Sequence, residues 1–201
     1  KAKVSPSFIL GARISTVITP GGFGSGDAAA QGEASNEFLR FARLQEEVGM
    51  HYVSVHVSNA TYNARVWVQM PTHRNPEDVF VHFRLTKAVK EQVSIPVMGA
   101  GYSYLRDGRN KLAGEAGERS FVYWAEKNLA AGETDMVGVS RQSLADRRFA
   151  AKILQGRDEE IKWCVACNNC FRLVGNGYKA GCVVHDPRFR EIFREFRKTH
   201  A

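Results

Sequence analysis

Four short apolar segments alternate with longer helical patterns along this chain of 201 residues, and this alternation limits the possible folds more than any other feature. The segments span residues 8–15, 51–58, 95–101 and 135–140. Strands that are apolar almost throughout are typical of a parallel sheet covered by helices. The alternation therefore predicts an α/β fold. Two architectures satisfy it: half of a (β/α)8 barrel, or a small open doubly wound sheet.

Helix start and stop signals lie between and after the apolar segments. The predicted helices span residues 36–48, 77–92, 118–132 and 146–156. Ser35 and Asn75 are expected N-caps of the first two, and Gly49, Gly132 and Gly156 are expected to end the first, third and fourth. The buried face predicted for the first helix consists of Phe38, Phe41, Leu44 and Val48.

The chain is basic, with a formal net charge of +7, and its C-terminal stretch is rich in arginine. Asp186 as N-cap and Pro187 as first residue predict a last helix there. Its apolar residues recur at i, i+3, i+4 and i+7, as expected for an amphipathic helix with a basic outer face: Phe189, Ile192, Phe193 and Phe196. No RNA- or DNA-binding signature accompanies the charge, so we expect this helix to dock on the protein and no nucleic-acid partner.

The sequence carries no membrane or export signal that we recognise. No apolar run approaches the length of a membrane span, and the first ten residues lack the layout of a signal peptide. We therefore expect a cytoplasmic protein without a membrane partner.

The four cysteines of the chain lie close together, in a C-x2-C-x2-C-x11-C pattern. They are Cys164, Cys167, Cys170 and Cys182. Four thiolates at such spacings hold one zinc ion or one iron–sulfur cluster. Buried or disulfide-paired cysteines are the alternative, although this spacing in a chain without export signals favours a metal. The pattern indicates a metal site and leaves zinc and iron–sulfur open.

Four passages in order resemble a known family. They are "GARIS" at 11–15, "IPVMGAG" at 95–101, "DMVGVSRQSLAD" at 135–146, and the cysteine loop followed by "DPR". Together they resemble the C-terminal half of the old yellow enzyme family of flavin-dependent oxidoreductases, in the branch of 2,4-dienoyl-CoA reductase and trimethylamine dehydrogenase. The resemblance implies strands five to eight of a (β/α)8 TIM barrel over residues 1–156. Residues 157–201 would then form a four-cysteine metal-binding loop and an amphipathic helix.

The resemblance also implies an FMN site at the C-terminal ends of these strands. It places Arg13 beside the pyrimidine end of the flavin, although an internal salt bridge is an alternative for this residue. The residues implied to bind FMN are Arg13, Ala100, Gly101, Tyr102, Ser140 and Arg141. The last five would hold the phosphate; as alternatives, the glycines only make turns and Arg141 pairs with a surface acid. Two positions depart from the family: Tyr102 stands where many relatives have glycine or arginine, and Arg147 where proline is usual.

By the same resemblance, the four cysteines would hold a [4Fe–4S] cluster, with zinc as the alternative. The implied activity is that of an ene-reductase, in which the flavin is reduced by NADH or NADPH, or by electrons that pass through the cluster, and the flavin N5 then reduces an activated alkene. A non-catalytic, metal-stabilised half-barrel that needs a partner chain is the competing hypothesis. No catalytic residue is assigned, because the family carries its substrate-binding pair and proton donor on the first four strands.

The expected partners are a small-molecule substrate and either a second copy of the chain or a protein that supplies the N-terminal half-barrel. His56 and Ser58, at the end of the second strand, are expected to face either substrate or core. Trp163 is expected to shield the metal site, and His185 to be a bystander.

Overall fold

The protein is described by a computed structural model, which covers residue 5 and residues 7–15, 35–57 and 76–199. The strands within these ranges are β1 (Gly11–Ser15), β2 (Tyr52–His56), β3 (Val97–Gly99) and β4 (Met136–Val137). The α-helices within them are α1 (Asn36–Glu47), α2 (Val79–Lys90), α3 (Phe121–Ala130), α4 (Arg141–Ala145), α5 (Phe149–Leu154), α6 (Asn169–Gly175) and α7 (Pro187–Thr199). Short 3₁₀ turns occur at Pro76–Asp78, Tyr102–Tyr104, Gly117–Arg119 and Asp158–Glu160.

The strands form one parallel sheet in the order β1-β2-β3-β4. Each strand therefore lies beside its neighbour in sequence, without the reversal of order that defines a doubly wound sheet. The α/β class is confirmed, and the sheet is consistent with half of a (β/α)8 barrel. Each strand is shorter than its predicted segment. Pro96, just before β3, has no N–H to donate, although its carbonyl accepts from the Val53 N–H at 3.0 Å.

The chain divides into two compact units. The first holds the described residues up to 57 together with Glu77–Gly101 and Ala125–Gly138, and the second holds Pro76, Tyr102–Trp124 and residues 139–199. The sheet belongs to the first unit and the cysteines to the second.

In the first unit, the helices pack on one face of the sheet. The core contains alternate residues of the strands and the apolar sides of α1 and α2: Ile14, Phe38, Ala42, Val53, Val55, Val57, Val81, Leu85, Val89, Val93 and Val97. Because side chains alternate across a strand, Arg13, Ser54 and His56 lie on the opposite face. In a (β/α)8 barrel, the face opposite the helices lines the interior.

Most helix signals are confirmed. The Ser35 hydroxyl accepts from the Phe38 N–H at 3.1 Å, and Gly49, Gly132 and Gly156 have the left-handed conformation of helix-ending residues. Asn75 lies outside the described residues. The Asp186 carboxylate accepts from the Arg188 N–H at 2.9 Å, as expected of the N-cap of α7.

The predicted buried face of α1 is partly wrong. Phe38 is buried as expected, but Leu44 and Val48 are 44% and 59% exposed. Ala42 is buried in their place. The end of α1 is held by a polar contact, in which the Glu46 carboxylate accepts from the Ser94 N–H at 3.2 Å, so this turn does not need an apolar stripe.

The second unit has its own apolar packing. Tyr102 is fully buried, and its ring lies edge-on to Phe121 with 6.2 Å between centroids. The apolar face of α7 packs as predicted, in a cluster of Leu173, Val183, Phe189, Ile192, Phe193 and Phe196. Across the described residues, no helix combines the length and the apolar character needed to cross a membrane.

Candidate functional site

The four cysteines lie in two nearby stretches of the second unit. Cys164 and Cys167 precede α6, Cys170 lies in its first turn, and Cys182 precedes α7. None is in a disulfide, and only Cys167 is exposed. Gly181 positions Cys182, because a Cβ at Gly181 would lie 2.2 Å from the Phe189 ring. Only glycine fits there, so the fourth cysteine is held against α7.

The loop that carries the first three cysteines is tightly wound. Ala166 and Asn168 have φ values of 51° and 60°, which are uncommon for residues other than glycine. Such conformations cost of order 1–3 kcal/mol each and persist only where the surrounding structure enforces them. The chain therefore stores backbone strain between the cysteines.

Backbone N–H groups are directed at three of the four sulfur atoms. The His185 N–H donates to Cys182 Sγ at 3.4 Å, and the N–H groups of Ala166 and Phe171 donate to the sulfurs of Cys164 and Cys170. Burial raises the pKa of the Cys164 and Cys170 thiols, whereas these N–H groups and the Arg141 guanidinium lower it. Hydrogen bonds of this kind stabilise a thiolate and tune the metal that it holds.

The thiols are close enough to influence one another. Cys167 and Cys182 both raise the pKa of Cys164, and Cys164 and Cys167 raise that of Cys170. Even so, in the part of the chain that the structure describes, no three His, Cys, Asp or Glu side chains converge closely enough to hold a metal ion. The soft donor set fits the chemistry of zinc or iron–sulfur, and the metal site stays a prediction.

Gln142 is a positioning residue that the sequence did not reveal. Its side chain is fully buried; Nε2 donates to the Lys162 carbonyl at 3.1 Å, and Oε1 accepts from the Cys164 N–H at 2.9 Å. A buried amide must find partners, and here both lie in the segment that leads into the first cysteine. In the sequence, Gln142 is only one of several polar residues in the "SRQSLAD" passage, and nothing there marks it as buried.

Asp146 holds the same segment. Its carboxylate accepts from the Lys162 N–H at 3.1 Å and pairs with Lys152 Nζ at 2.6 Å. Burial alone would raise its pKa, but the hydrogen bonds from Lys152, Lys162 and Arg148 lower the pKa of Asp146 to about 2. The carboxylate is therefore charged at neutral pH and fixes the approach to Cys164.

Arg141 links two of the predicted site segments within the second unit. Its guanidinium lies over the Tyr104 ring, 5.1 Å from the centroid, and donates to Asn168 Oδ1 in the cysteine loop. No ion pair among the described residues includes Arg141. Ser140 is exposed immediately before α4.

The remaining predicted FMN residues lie in the first unit, apart from the buried Tyr102. Gly101 follows Ala100 with φ +97°, and a Cβ there would approach the His82 ring to 3.2 Å. Arg13 is exposed on the face of the sheet opposite the helices, and the salt bridge considered for it is absent from the described residues.

Trp163 is buried, its ring lies 5.9 Å from that of Phe121 between centroids, and its role as a shield of the metal site stays a prediction. His185 is not a bystander, because its backbone bonds to the Cys182 sulfur and its Nε2 lies 3.0 Å from the Trp163 carbonyl oxygen. Ser58 lies outside the described residues.

Several curated proteins are similar in sequence to this chain. It is 30% identical over 182 residues to NADH oxidase of Thermoanaerobacter brockii, a match that covers 88% of this chain and 24% of the relative. It is 27% identical over 151 residues to bilirubin reductase of Mediterraneibacter gnavus, covering 75% and 21%. It is 25% identical over 193 residues to N,N-dimethylglycine/sarcosine dehydrogenase of Chromohalobacter salexigens, covering 95% and 24%. The chain thus spans about a quarter of the length of these relatives.

Two solved structures share the fold. An amine oxidase for 6-hydroxypseudooxynicotine from Pseudomonas geniculata N1 superposes with a TM-score of 0.53 at 21% identity, over 73% of this chain and 18% of that one. A 2-naphthoyl-CoA reductase in complex with 2-naphthoyl-CoA superposes with a TM-score of 0.53 at 21% identity, over 90% and 23%. No protein-family model matches the chain.

The parallel sheet defines the chain as an α/β protein, and the relatives that it matches are named as an oxidase, a reductase and a dehydrogenase. More particularly, the chain belongs to the old-yellow-enzyme-like family of NADH:flavin oxidoreductases, at low identity to the members that it matches.

Proposed function

We propose that the chain is part of an FMN-dependent oxidoreductase of the ene-reductase type, which uses NADH or NADPH to reduce an activated alkene or a related substrate. The relatives named NADH oxidase and bilirubin reductase support a reductive flavoenzyme. Residues 1–156 would supply strands five to eight of the barrel, and residues 157–201 the metal-binding loop and its helix.

The position of Arg141 is the observation that carries this proposal. Its guanidinium contacts Tyr104, in the stretch after β3, and Asn168, in the cysteine loop. It also lowers the pKa of Cys164 and Cys170. A permanent cation suits both a phosphate and a set of thiolates, so one side chain would connect the predicted phosphate loops with the predicted metal loop.

The FMN residues have distinct proposed roles. Bound FMN would supply hydride transfer at N5, with Arg13 beside its pyrimidine end. Glycine at Gly101 lets the backbone come close to an anion, and a side chain at this left-handed position would press on His82. The backbone amide of Tyr102, the Ser140 hydroxyl and the Arg141 guanidinium would donate to the phosphate.

The four cysteines would hold a [4Fe–4S] cluster, with zinc as the alternative. A bound cluster would supply single-electron transfer. The N–H groups directed at Cys164, Cys170 and Cys182 would stabilise the thiolates, and Gln142 would keep the first of them in place.

The cofactors can be tested on the 201-residue chain. We would reconstitute it anaerobically with iron and sulfide, or with zinc, and then titrate FMN while following flavin fluorescence. Arg141→Met should weaken FMN binding at least tenfold, whereas Arg147→Met, which removes an exposed cation six positions later, should leave it unchanged. A colourless zinc protein that never binds FMN would contradict the proposal.

The competing hypothesis is a non-catalytic module stabilised by metal. We propose that a second copy or a partner chain supplies the N-terminal half-barrel. NADH-dependent reduction of an enone, assayed with and without that half co-expressed, separates the two hypotheses. Activity in either preparation supports the enzyme, and a metal-loaded complex without activity supports the module.

A further inference from the structure

Two neighbouring residues of α4 hold the cysteine loop of the second unit. The Arg141 guanidinium donates to Asn168 Oδ1, and Gln142 Oε1 accepts from the Cys164 N–H at 2.9 Å. These contacts fix the loop at two points four residues apart, with Cys167 between them. A change in the loop can therefore reach α4, and a change at α4 can reach the loop.

The side chain of Asn168 does not have the role that its position favours. Asn168 is the N-cap of α6, and its carbonyl oxygen accepts from the Arg172 N–H at 3.0 Å. The side chain of an N-cap asparagine usually accepts from a backbone N–H of the first helical turn. Within the described first turn of α6 it makes no such hydrogen bond, and Oδ1 accepts from Arg141 instead. The geometry therefore assigns this side chain to the arginine.

The backbone of Asn168 lies next to two of the predicted metal ligands. Its φ of 60° is in the left-handed region, which asparagine adopts more readily than most residues other than glycine. Because the residue lies between Cys167 and Cys170, a metal held by these two thiolates would enforce this conformation. The direction in which Oδ1 points, and so the contact with Arg141, depends on the state of the two cysteines.

Arg141 retains donors for a further ligand. Its guanidinium lies over the Tyr104 ring, 5.1 Å from the centroid, and its partner in the loop is an uncharged amide oxygen. None of the ion pairs within the described ranges includes it. A guanidinium has five N–H donors, so the contact with Asn168 leaves donors that can bind a phosphate.

We propose that Asn168 is a positioning residue that couples metal binding in the cysteine loop to phosphate binding at Arg141, so that each ligand strengthens the binding of the other. A metal that fixes the loop fixes Asn168 Oδ1, which then keeps the long Arg141 side chain over Tyr104. Phosphate binding no longer has to order that side chain, so the site is preorganised. Because coupling between two sites is reciprocal, a bound phosphate tightens metal binding by the same factor.

This coupling rests on the proposed function, which assigns a phosphate to Arg141 and a metal to the cysteines. The ligand chemistry is that of a phosphate group, which FMN and free inorganic phosphate share. Repulsion between the phosphate and the thiolates acts against the coupling. We expect the ordering effect to be larger, because the Arg141 cation offsets negative charge on both sides.

The test measures both affinities on the 201-residue chain. FMN is titrated by flavin fluorescence and inorganic phosphate by calorimetry, with the chain either metal-free or loaded with zinc. Riboflavin, which lacks the phosphate, is titrated in parallel. We expect zinc to strengthen the binding of FMN and of phosphate at least about fivefold, as is typical of coupled sites, and to leave riboflavin binding unchanged. The zinc affinity, measured against a competing chelator, should rise by the same factor when FMN or phosphate is saturating.

Two glycine variants separate the hydrogen bond from the backbone conformation. Asn168→Gly keeps a residue that adopts positive φ readily and removes Oδ1, so it should abolish the coupling. Ala166→Gly relaxes the other left-handed residue of the loop, at φ 51°, and should retain the coupling. A residue with a purely structural role would change both affinities and leave their dependence on each other unchanged.

The proposal is wrong if zinc leaves phosphate binding unchanged or weakens it, if Asn168→Gly keeps the coupling, or if Ala166→Gly loses it equally. If phosphate binds and FMN does not, the flavin function fails, and the phosphate arm still decides the coupling. If zinc binds and both phosphate compounds bind independently of it, the coupling fails and the proposed cofactors stand. If neither phosphate compound binds, the phosphate site and the coupling are both wrong.

Discussion

At the scale of single residues, the buried polar side chains determine the local geometry of both units. Gln142 holds Lys162 and Cys164 through two hydrogen bonds, whereas the His82 ring makes none with the residues that the structure describes. The hydrogen bonds of the Gln142 amide are satisfied, whereas those of the His82 ring are not satisfied by these residues. This difference predicts opposite responses to apolar substitution.

Gln142→Leu should destabilise the chain and loosen its first cysteine. The substitution leaves the Lys162 carbonyl and the Cys164 N–H without partners, at a cost of about 1–3 kcal/mol each. We expect a lower urea midpoint and faster reaction of Cys164 with a thiol reagent. Ser143→Ala, at an exposed position one residue later, is the control. Equal effects in the two variants would show that Gln142 does not position Cys164.

His82 should make the chain less stable in acid. Its pKa in the folded state, about 3, lies below the ordinary value of 6.5, so between these values the unfolded chain binds more protons. The contribution of neutral His82 to the free energy of unfolding is fully present above pH 6.5. It falls as the pH drops, by at most about 1.4 kcal/mol per pH unit for one ring.

His82→Phe removes this linkage, so urea midpoints of the variant should change less than those of the parent chain between pH 6.5 and pH 4. Two parallel profiles would contradict this prediction, because they would show that His82 binds its proton equally well in the folded and the unfolded chain.

At the scale of elements, the contact between the cysteine loop and α7 depends on one glycine. Gly181→Ala would place a methyl group 2.2 Å from the Phe189 ring, so the helix or the loop must move. Overpacking of this kind costs about 1–3 kcal/mol. Gly175→Ala, at the end of α6 with no atom within 4 Å of its Cβ position, should be neutral or slightly stabilising. Thermal melting of the two variants measures the difference, and an unchanged melting temperature for Gly181→Ala would contradict the packing.

The helices also show where periodicity is reliable. In α7, the apolar residues at i, i+3, i+4 and i+7 all pack in one cluster. In α1, the same kind of pattern predicts burial of Leu44 and Val48, which are exposed. The two helices differ in what lies beside their last turns, since the Glu46–Ser94 contact replaces apolar packing in α1.

At the scale of the whole molecule, loading with metal should stabilise the chain. A metal that binds only the folded state adds RT ln(1 + [L]/Kd), which is about 4 kcal/mol at a thousandfold excess over Kd. We expect a higher melting temperature after reconstitution with zinc or with iron and sulfide, and reversal by a chelator. Cys182→Ser should remove most of the increase, whereas Ser143→Ala should retain it. Equal melting temperatures with and without metal would exclude a structural metal site.

The sequence by itself determined the features that are local in the chain. The alternation of apolar and helical segments specified the α/β class, since backbone hydrogen bonding and side-chain periodicity are properties of neighbouring residues. Cap residues such as Ser35 and Asp186 specified helix starts for the same reason. The cysteine spacing indicated a metal site but left the metal open.

Only the tertiary structure decided which distant side chains meet. The contacts of Gln142 with Cys164, of Arg141 with Tyr104, and of His56 with His82 join residues far apart in sequence. No periodicity encodes them, because they depend on which ends of strands and helices pack together. The same applies to Arg13, which belongs to an apolar segment of the sequence but lies exposed on the face of the sheet opposite the described helices.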